Sequence, residues 1–527
     1  MTSQRENPAI SYFVPGELVF AFEAAAAPAG PAERAASDVD RTLLNYLESR
    51  GLLPDGGFDL GAEKGTGALR SVLPMPDNPE RSSVLTKLRL ANPDAMPDYL
   101  ARAVTGVARD AERRASGSEP RLIAVSPNWF AGASQGGIGT GGPGTMPVPA
   151  SGAGSFKLSF ADGQPPGDRG GVAVEVFILD ALPPLESSNG AWRIRDFIQD
   201  KTKFSAHPLG RLLSEPLQPA PGGGMRSADG TLTMVWADDI RPGLFSGLKD
   251  DSGHPLYAAH HPAYDMSDHG PFIAGTIRQI APGAHLHLIQ VLNEYGVGTL
   301  ASIAAGFEWV ARSMQNGKPA GPAIVNCSFT LAMPLPGESN NARRPGHRIA
   351  ALGEAIAKII TTTDYLASMR RLFQAMAPFG ADLSRCIVVA AAGNDSSPEA
   401  IQPARFPAQA DFVLGVGALA RAPAGGTGSS QPRAAYSNLA DKPQSDGLMV
   451  LGDLEGIFTQ PFPGGAPNPF GFARWAGTSF ATGVVSALLA WLCAEQGMTP
   501  TQARDYLRNL PQGVTSEAEE IVLVEQM

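Results

Sequence analysis

The sequence predicts an α/β fold, a doubly wound and mostly parallel sheet preceded by a small α/β unit. Three observations carry that expectation. Beyond residue 169, apolar β-branched runs alternate with helical patterns, as in a parallel sheet covered on both faces. An uncharged, Gly-rich tract divides the chain near residue 131. At 527 residues, 43% apolar and 17% charged, the chain is long enough for more than one core and too poor in charge to be intrinsically disordered.

The elements follow in order. SYFVPGELVFAFE reads as a strand, DVDRTLLNYLESRG as a helix ended by glycine, SSVLTKLRLA as a strand, DAMPDYLARAVTGVARDAER as a helix and RLIAVSPNW as a closing strand. Residues 1–130 therefore form one α/β unit. From Ala131 to Ser155 nine of twenty-five residues are Gly and none is charged, so residues 131–168 are expected to be a linker. Residues 169–527 hold the apolar runs VAVEVFIL, AHLHLIQVL, PAIVNCSF, CIVVAAAG and FVLGVGAL, with helical patterns such as TLASIAAGFEWVARSMQ between them. Two long segments, near 181–267 and 331–385, interrupt that alternation and read as insertions. The helical stretches EAIAKII and YLASMRRLFQAM in the second are expected to be packed surface helices, with partner contact as the alternative. Near the end, Thr499 and Gln502 spell a capping box with Pro500 at the first helical position.

Composition excludes several classes. Lys and Arg number 41 against 51 Asp and Glu, a net charge of −10, so neither nucleic acid nor an anionic membrane surface is an expected partner. Cys327, Cys386 and Cys493 are sparse, odd in number and without C-x-x-C spacing, which rules out a disulfide scaffold or a structural zinc site. The first residues lack an apolar stretch after a basic start, so residence in the cytoplasm is expected. The longest strongly apolar run, 483–494, is shorter than the roughly 20 residues that span a bilayer.

Three short segments place reactive side chains among small residues at the edge of an apolar element. Asp180 ends the strand VAVEVFILD, where open α/β sheets build their sites. His269 opens the apolar helical run of SDHGPFIAGTI, and Ser479 begins the helix of WAGTSFATGVVSALLA. A serine hydroxyl becomes a nucleophile when an imidazole takes its proton and a carboxylate fixes the imidazole's tautomer. Asn394, on a glycine-flanked turn after CIVVAAAG, offers a donor for a developing oxyanion, and the backbone amide of Ser479 a second. Asp238 and Asp239 also close a short apolar run and are the alternative acids.

The chain order, acid then histidine then serine, is one the handful of known triads keeps distinct. HGPFIAG is similar to the subtilase motif H-G-T-H-V-A-G, GTSFAT matches G-T-S-x-A, and VVAAAGND resembles the oxyanion-asparagine segment of that family. IAPGAHLHLIQVLNEYGVG and RFPAQADFVLGVGA are similar to its connecting segments, so the chain resembles the subtilases from about Gly170 to Leu510. The resemblance implies a subtilisin-like fold and a serine endopeptidase working through an acyl-enzyme on a protein or peptide substrate. It implies Asp180 as the orienting acid, His269 as general base, Ser479 as nucleophile and Asn394 as oxyanion donor. Ser328, Phe329 and Thr330, where the family has S-L-G, and Gly393 would bind substrate. The amino-terminal unit resembles subtilase propeptides, which implies a zymogen whose own amino-terminal domain is an intramolecular inhibitor, released by a cut in the linker. No cofactor is required. Calcium occurs in the family, and no D-x-D-x-D-G loop is present to mark a site for it. Asp180 is followed by Ala-Leu-Pro-Pro instead of the usual Ser/Thr-Gly, and Gly483 stands where the family has Pro.

Two other readings are of different classes. One is a catalytically silent subtilase fold serving as a protein-binding scaffold. The other is a metal-dependent hydrolase using His285 and His287, on one face of a strand, with His260 or His261. Among the departures, Thr330 generates a prediction. A β-branched side chain where the family has glycine narrows the pocket for the residue before the scissile bond, so a peptide library is expected to be cut after small residues. Equal cleavage after large aromatic and small side chains defeats this.

Overall fold

The computed structural model of the chain describes residues 13–25, 32–59, 70–75, 78–112, 120–132, 145–154, 156–158, 173–245, 248, 264–314, 321–331, 351–360, 362–382, 384–396, 404, 413–421, 432–439, 447–509 and 524–526. His260 and His261 lie outside these residues.

The amino-terminal unit runs β1 (Phe13–Ala25), α1 (Ala32–Ser49), β2 (Arg70–Met75), β3 (Asn78–Arg89), α2 (Met96–Glu112), β4 (Arg121–Gly132). Its strands are antiparallel in the order β4-β1-β3-β2. The sequence reading missed β2, an outer strand that pairs with β3 and carries Pro74, which ladder hydrogen bonding tolerates only at such a position. Leu18 to Phe22 are all buried, which accounts for the lack of polar alternation in LVFAF.

The main sheet is parallel through β6 (Leu232–Val235), β7 (His285–Gln290), β5 (Glu175–Asp180), β9 (Ala323–Cys327), β11 (Cys386–Ala391), β12 (Val413–Leu419) and β13 (Leu448–Leu451), in that spatial order. The chain thus starts in the middle at β5, steps outward to β6, returns to β7 and crosses to β9. Site residues of such sheets gather at the carboxyl ends where this order reverses, here the ends of β5 and β9. β6 corrects the reading of 181–267 as an insertion, because that segment supplies a strand paired with β7. Between these strands, α4 (His269–Ile280) follows α3 (Pro208–Ser214), and α5 (Leu300–Ser313) follows β8 (Val297–Thr299). After β10 (Thr330–Leu331) comes α6 (Thr363–Met376), and β14 (Asp453–Ile457) with β15 (Phe472–Ala476) leads into α7 (Thr478–Gln496). By length and composition α7 would cross a membrane, yet 83% of its most apolar window is buried in the core, against α4 and the strands.

The junction between the two parts also differs from the sequence reading. Ala131 and Gly132, assigned to the linker, continue β4, which pairs antiparallel with both β8 and β10. Val148–Pro149, also in that tract, pairs with β15. α6 lies against β4 and binds it by hydrogen bonds: Trp129 Nε1 donates to Tyr365 Oη at 2.9 Å, Val125 N to Ser368 Oγ at 3.1 Å and Arg371 Nε to Ile123 O at 3.0 Å. Asn128 Oδ1 accepts from Ala301 N at the start of α5, and its Nδ2 donates to Glu17. The helix around YLASMRRLFQAM therefore contacts the amino-terminal unit.

His207 caps α3, its Nδ1 accepting from Leu209 N at 3.2 Å and Gly210 N at 3.3 Å. Burial pushes this imidazole down from 6.5 to about 4. The folded chain therefore favours neutral His207, so its contribution is complete above pH 6.5 and is lost as pH falls toward 4. About 2 kcal/mol of stability is expected to disappear between pH 7 and pH 5. Urea midpoints at the two pH values should show this loss in the unmodified protein and a smaller one in His207→Asn; equal losses would remove His207 as the cause.

Candidate active site

The site is assembled from strand ends and helix starts. Asp180 ends β5, 1% exposed. Its Oδ1 accepts from Ala181 N at 2.7 Å, and both carboxylate oxygens face His269 Nδ1, at 2.8 and 2.9 Å. His269 is the first residue of α4 and fully buried. Gly270 explains how the helix start comes so close, because a Cβ there would lie 2.5 Å from Ala181 O and 3.1 Å from Asp180 Cβ. The His269 ring rests against Trp475 at 5.5 Å and Phe480 at 5.2 Å. Its Nε2 has no hydrogen-bond partner among the described residues.

Ser479 is the second residue of α7. Its Oγ donates to Ser328 O at 3.0 Å, while Ser328 Oγ reaches back to Ser479 O at 3.1 Å and donates to Asn326 Oδ1 at 2.7 Å. Asp180 and His269 are thus joined, and Ser479 is held by the end of β9, with no bond from Oγ to Nε2. Asn394 Oδ1 accepts from Thr478 N at 2.9 Å, and Gly393 N donates to Thr478 Oγ1 at 3.2 Å, so the turn after β11 is clipped to the same helix start. Gly393 has φ 107°, a conformation that requires glycine. The Oδ1 end of Asn394 therefore faces the start of α7, one residue before Ser479.

Phe329 and Thr330 are buried, and Thr330 pairs with Gly132 of β4. Because β4 is antiparallel to β10, the chain advances from Ala131 opposite Leu331 to Gly132 opposite Thr330, heading toward Ser328 and hence Ser479. Gly483 has a packing reason, since its missing Cβ would lie 3.1 Å from Ile273 Cγ2 of α4.

Asp238 and Asp239 are placed elsewhere: they lie in the short helix Ala237–Ile240, where Asp239 Oδ2 accepts from Trp236 N and Asp238 Oδ1 from Gly243 N. His285 and His287 share a face of β7, and Glu175 of β5 takes both, at 3.2 Å to His285 Nδ1 and 2.6 Å to His287 Nε2. Burial raises the Glu175 carboxyl, but the bonds and charges of His287 and His285 outweigh it and hold it below the usual range. Among the described residues no group of three side chains converges with metal-holding geometry.

Asp268 is a site residue that the sequence reading passed over. It is fully buried beside His269, and its carboxylate accepts from Thr459 N, from Thr459 Oγ1 at 2.7 Å and from Gln460 N at 2.6 Å. Burial lifts this carboxyl to about 7, with Asp265 adding to the rise and the donors from Thr459 and Gln460 opposing it. An acid directly before the histidine was its signal, but the donors it accepts from lie 191 and 192 residues away.

A model of the subtilase family matches residues 242–518, a span that holds His269, Asn394 and Ser479 but not Asp180. Subtilisin DY of Bacillus licheniformis is 29% identical over 184 residues, 33% of this chain and 48% of that protein. Subtilisin NAT of Bacillus subtilis subsp. natto is 25% identical over 280 residues, 49% of this chain and 57% of that protein. The chain spans about half the length of these curated relatives. A solved structure of a cold adapted subtilisin-like serine proteinase aligns at 17% identity, covering 66% of this chain and 88% of the other, with a TM-score of 0.33.

Proposed function

The chain belongs to the subtilase family, and on that premise we propose that it is a serine endopeptidase made as a zymogen. The observation that carries the reading is the buried bond between Asp180 and His269 Nδ1, which leaves Nε2 without a partner among the described residues, in a ring that packs against Phe480, the residue after Ser479. In this reading Ser479 Oγ turns from Ser328 O to Nε2, gives its proton to the imidazole and attacks the peptide carbonyl carbon. Asp180 keeps the Nδ1–H tautomer and steadies the imidazolium. Asn394 Nδ2 and Ser479 N stabilise the oxyanion, a donor of this kind being worth about 100- to 1,000-fold in rate. The amine leaves with the proton from Nε2, and water then hydrolyses the ester by the same relay. The central position of β5 and the strand order on either side of it support the doubly wound reading of the sheet.

The amino-terminal unit acts as the inhibitor. Support comes from β4, which lies between β8 and β10 and points at Ser479. Ala133 and Ser134, which follow Gly132 in the sequence, are small, the size of residue that cleavage is expected to follow. The scaffold reading has one observation in its favour, the hydrogen bond from Ser479 Oγ to Ser328 O in place of one to His269.

A fluorophosphonate separates the two. Ser479 is expected to be labelled, Ser479→Ala to stay unlabelled, and Asp180→Asn to react about 10,000-fold more slowly; an unlabelled wild-type protein freed of residues 1–132 would support the scaffold. Maturation is checked by intact mass: the unmodified chain should lose its amino-terminal unit on incubation while Ser479→Ala remains whole, and equal trimming of both would show that the cut is not autocatalytic.

A further inference from the structure

A pocket beside the site takes no part in the chemistry described above. Its volume is about 240 Å3, and its lining includes Arg195, Phe197, Tyr264, Asp265, Gln460 and Phe462. That is below the roughly 300 Å3 at which sites for drug-sized ligands begin, a size suited to one side chain. Two ring contacts lead to it from the histidine: His269 to Trp475 at 5.5 Å, and Trp475 to Tyr264 at 6.1 Å. A second tie is Asp268, whose carboxylate fixes Thr459 and Gln460 by their backbone amides. One wall is therefore tied through Asp268 to the residue before His269, and the other touches the His269 ring through Trp475. An extended chain advances about 3.3 Å per residue, so the pocket is within reach of the first few residues beyond the reacting bond.

Direction follows from β4. A chain running as β4 does reaches Ser479 from the side of β10; the wall built on Trp475 and Tyr264 adjoins the serine through Phe480, which lies 5.1 Å from Trp475, and we assign it to the side beyond the serine. We propose that this pocket is a subsite for the leaving-group side of the substrate, taking an aromatic side chain that carries a hydrogen-bond donor, tyrosine or tryptophan, at one of the first three positions after the scissile bond. The proposal rests on Ser479 being the nucleophile.

The chemistry of the lining selects that side chain. Phe197 is 46% exposed, a large apolar surface left open in the pocket, and Tyr264 and Phe462 add aromatic walls. Gln460 is fully buried; its Nε2 is committed to Arg195 O at 3.2 Å and Thr459 Oγ1 at 3.1 Å, while its Oε1 has no partner among the described residues. That oxygen is itself out of solvent, so a donor on the bound side chain meets it when the Gln460 amide turns toward the pocket it lines. One cation and one anion line the space, so it does not select for charge: Arg195 stacks over Phe197 at 5.7 Å and faces Glu186 at 3.9 Å, and Asp265 accepts from Ser267 N. None of these six residues lies in a motif that carried the family resemblance.

The test is cleavage of peptides that differ only in one of the first three leaving-side residues, by the full chain after incubation, with Ser479 labelling measured on the same sample. Tyrosine or tryptophan at one of those positions is expected to raise kcat/KM roughly tenfold over alanine. Phe197→Ala should bring that ratio near one, and Gln460→Met should erase the preference for tyrosine over phenylalanine. Each ratio is read within one protein, so partial misfolding of a variant does not mimic the result. A labelled, active protein with no aromatic preference at these positions, with a preference only before the scissile bond, or with a preference both variants retain overturns the subsite and leaves the serine peptidase reading intact. Absence of both labelling and cleavage overturns that reading, and the subsite with it.

Discussion

The buried contact between the Asp180 carboxylate and the His269 imidazole is the constraint from which the architecture of the site follows. A carboxylate taken out of water costs several kcal/mol unless its oxygens are satisfied. Here Ala181 N and His269 Nδ1 satisfy them, and the Asp180 carbonyl accepts Val291 N and Leu292 N from the segment after β7. These bonds require α4 to begin against the end of β5, and that approach fixes small residues along the helix. Gly270 admits Ala181 O, Gly275 admits Ile457, and Gly456 of β14 admits the Phe272 ring. The pair thus dictates a run of close helix contacts as well as its own geometry.

A second group of buried polar bonds holds the amino-terminal unit to the rest. Tyr365 Oη sits between Trp129 Nε1 and Ser126 Oγ, and Asn128 links Glu17 to the first turn of α5. Apolar packing runs alongside, with Phe130 and Val14 of the unit meeting Leu248 and Val297 of the other part. Tyr365 Oη, Trp129 Nε1, Asn128 Oδ1 and Ala301 N would lose these bonds if the unit left dry, so separation must admit water to this face. The contact is therefore cooperative, the sum of a sheet, a helix face and an aromatic cluster.

Much of this was legible in the sequence where function rests on local pattern. An acid closing a β-branched run, a histidine opening a helix before glycine, and a serine between small residues are each set by the geometry of one element, and the elements occur as read. What the sequence hid depends on register between distant segments. Asp180 and Asp238 both close apolar runs; only the spatial order, with β5 central and β6 two strands away, decides which faces the histidine. The metal alternative rested on His285 and His287 sharing a face, and Glu175, on the neighbouring strand, sits opposite them through a pairing no local motif encodes. A Gly-rich, uncharged tract marked Ala131 and Gly132 as linker, yet their place, squeezed between β8 and β10, is set by backbone pairing that composition does not encode.

That squeeze has a mechanical corollary. β8 and β10 do not pair with one another; β4 lies between them as the middle strand of three. Neighbouring strands sit roughly 4.8 Å apart, so withdrawing β4 opens a slot about 10 Å wide flanked by two rows of unsatisfied backbone donors and acceptors. A helix, about 10–12 Å across and with its own amides already spent, fits such a slot neither in girth nor in bonding. On the endopeptidase reading, such an opening would admit unfolded or locally unwound polypeptide and exclude folded helices, a filter on the shape of the backbone that operates before any side chain is inspected.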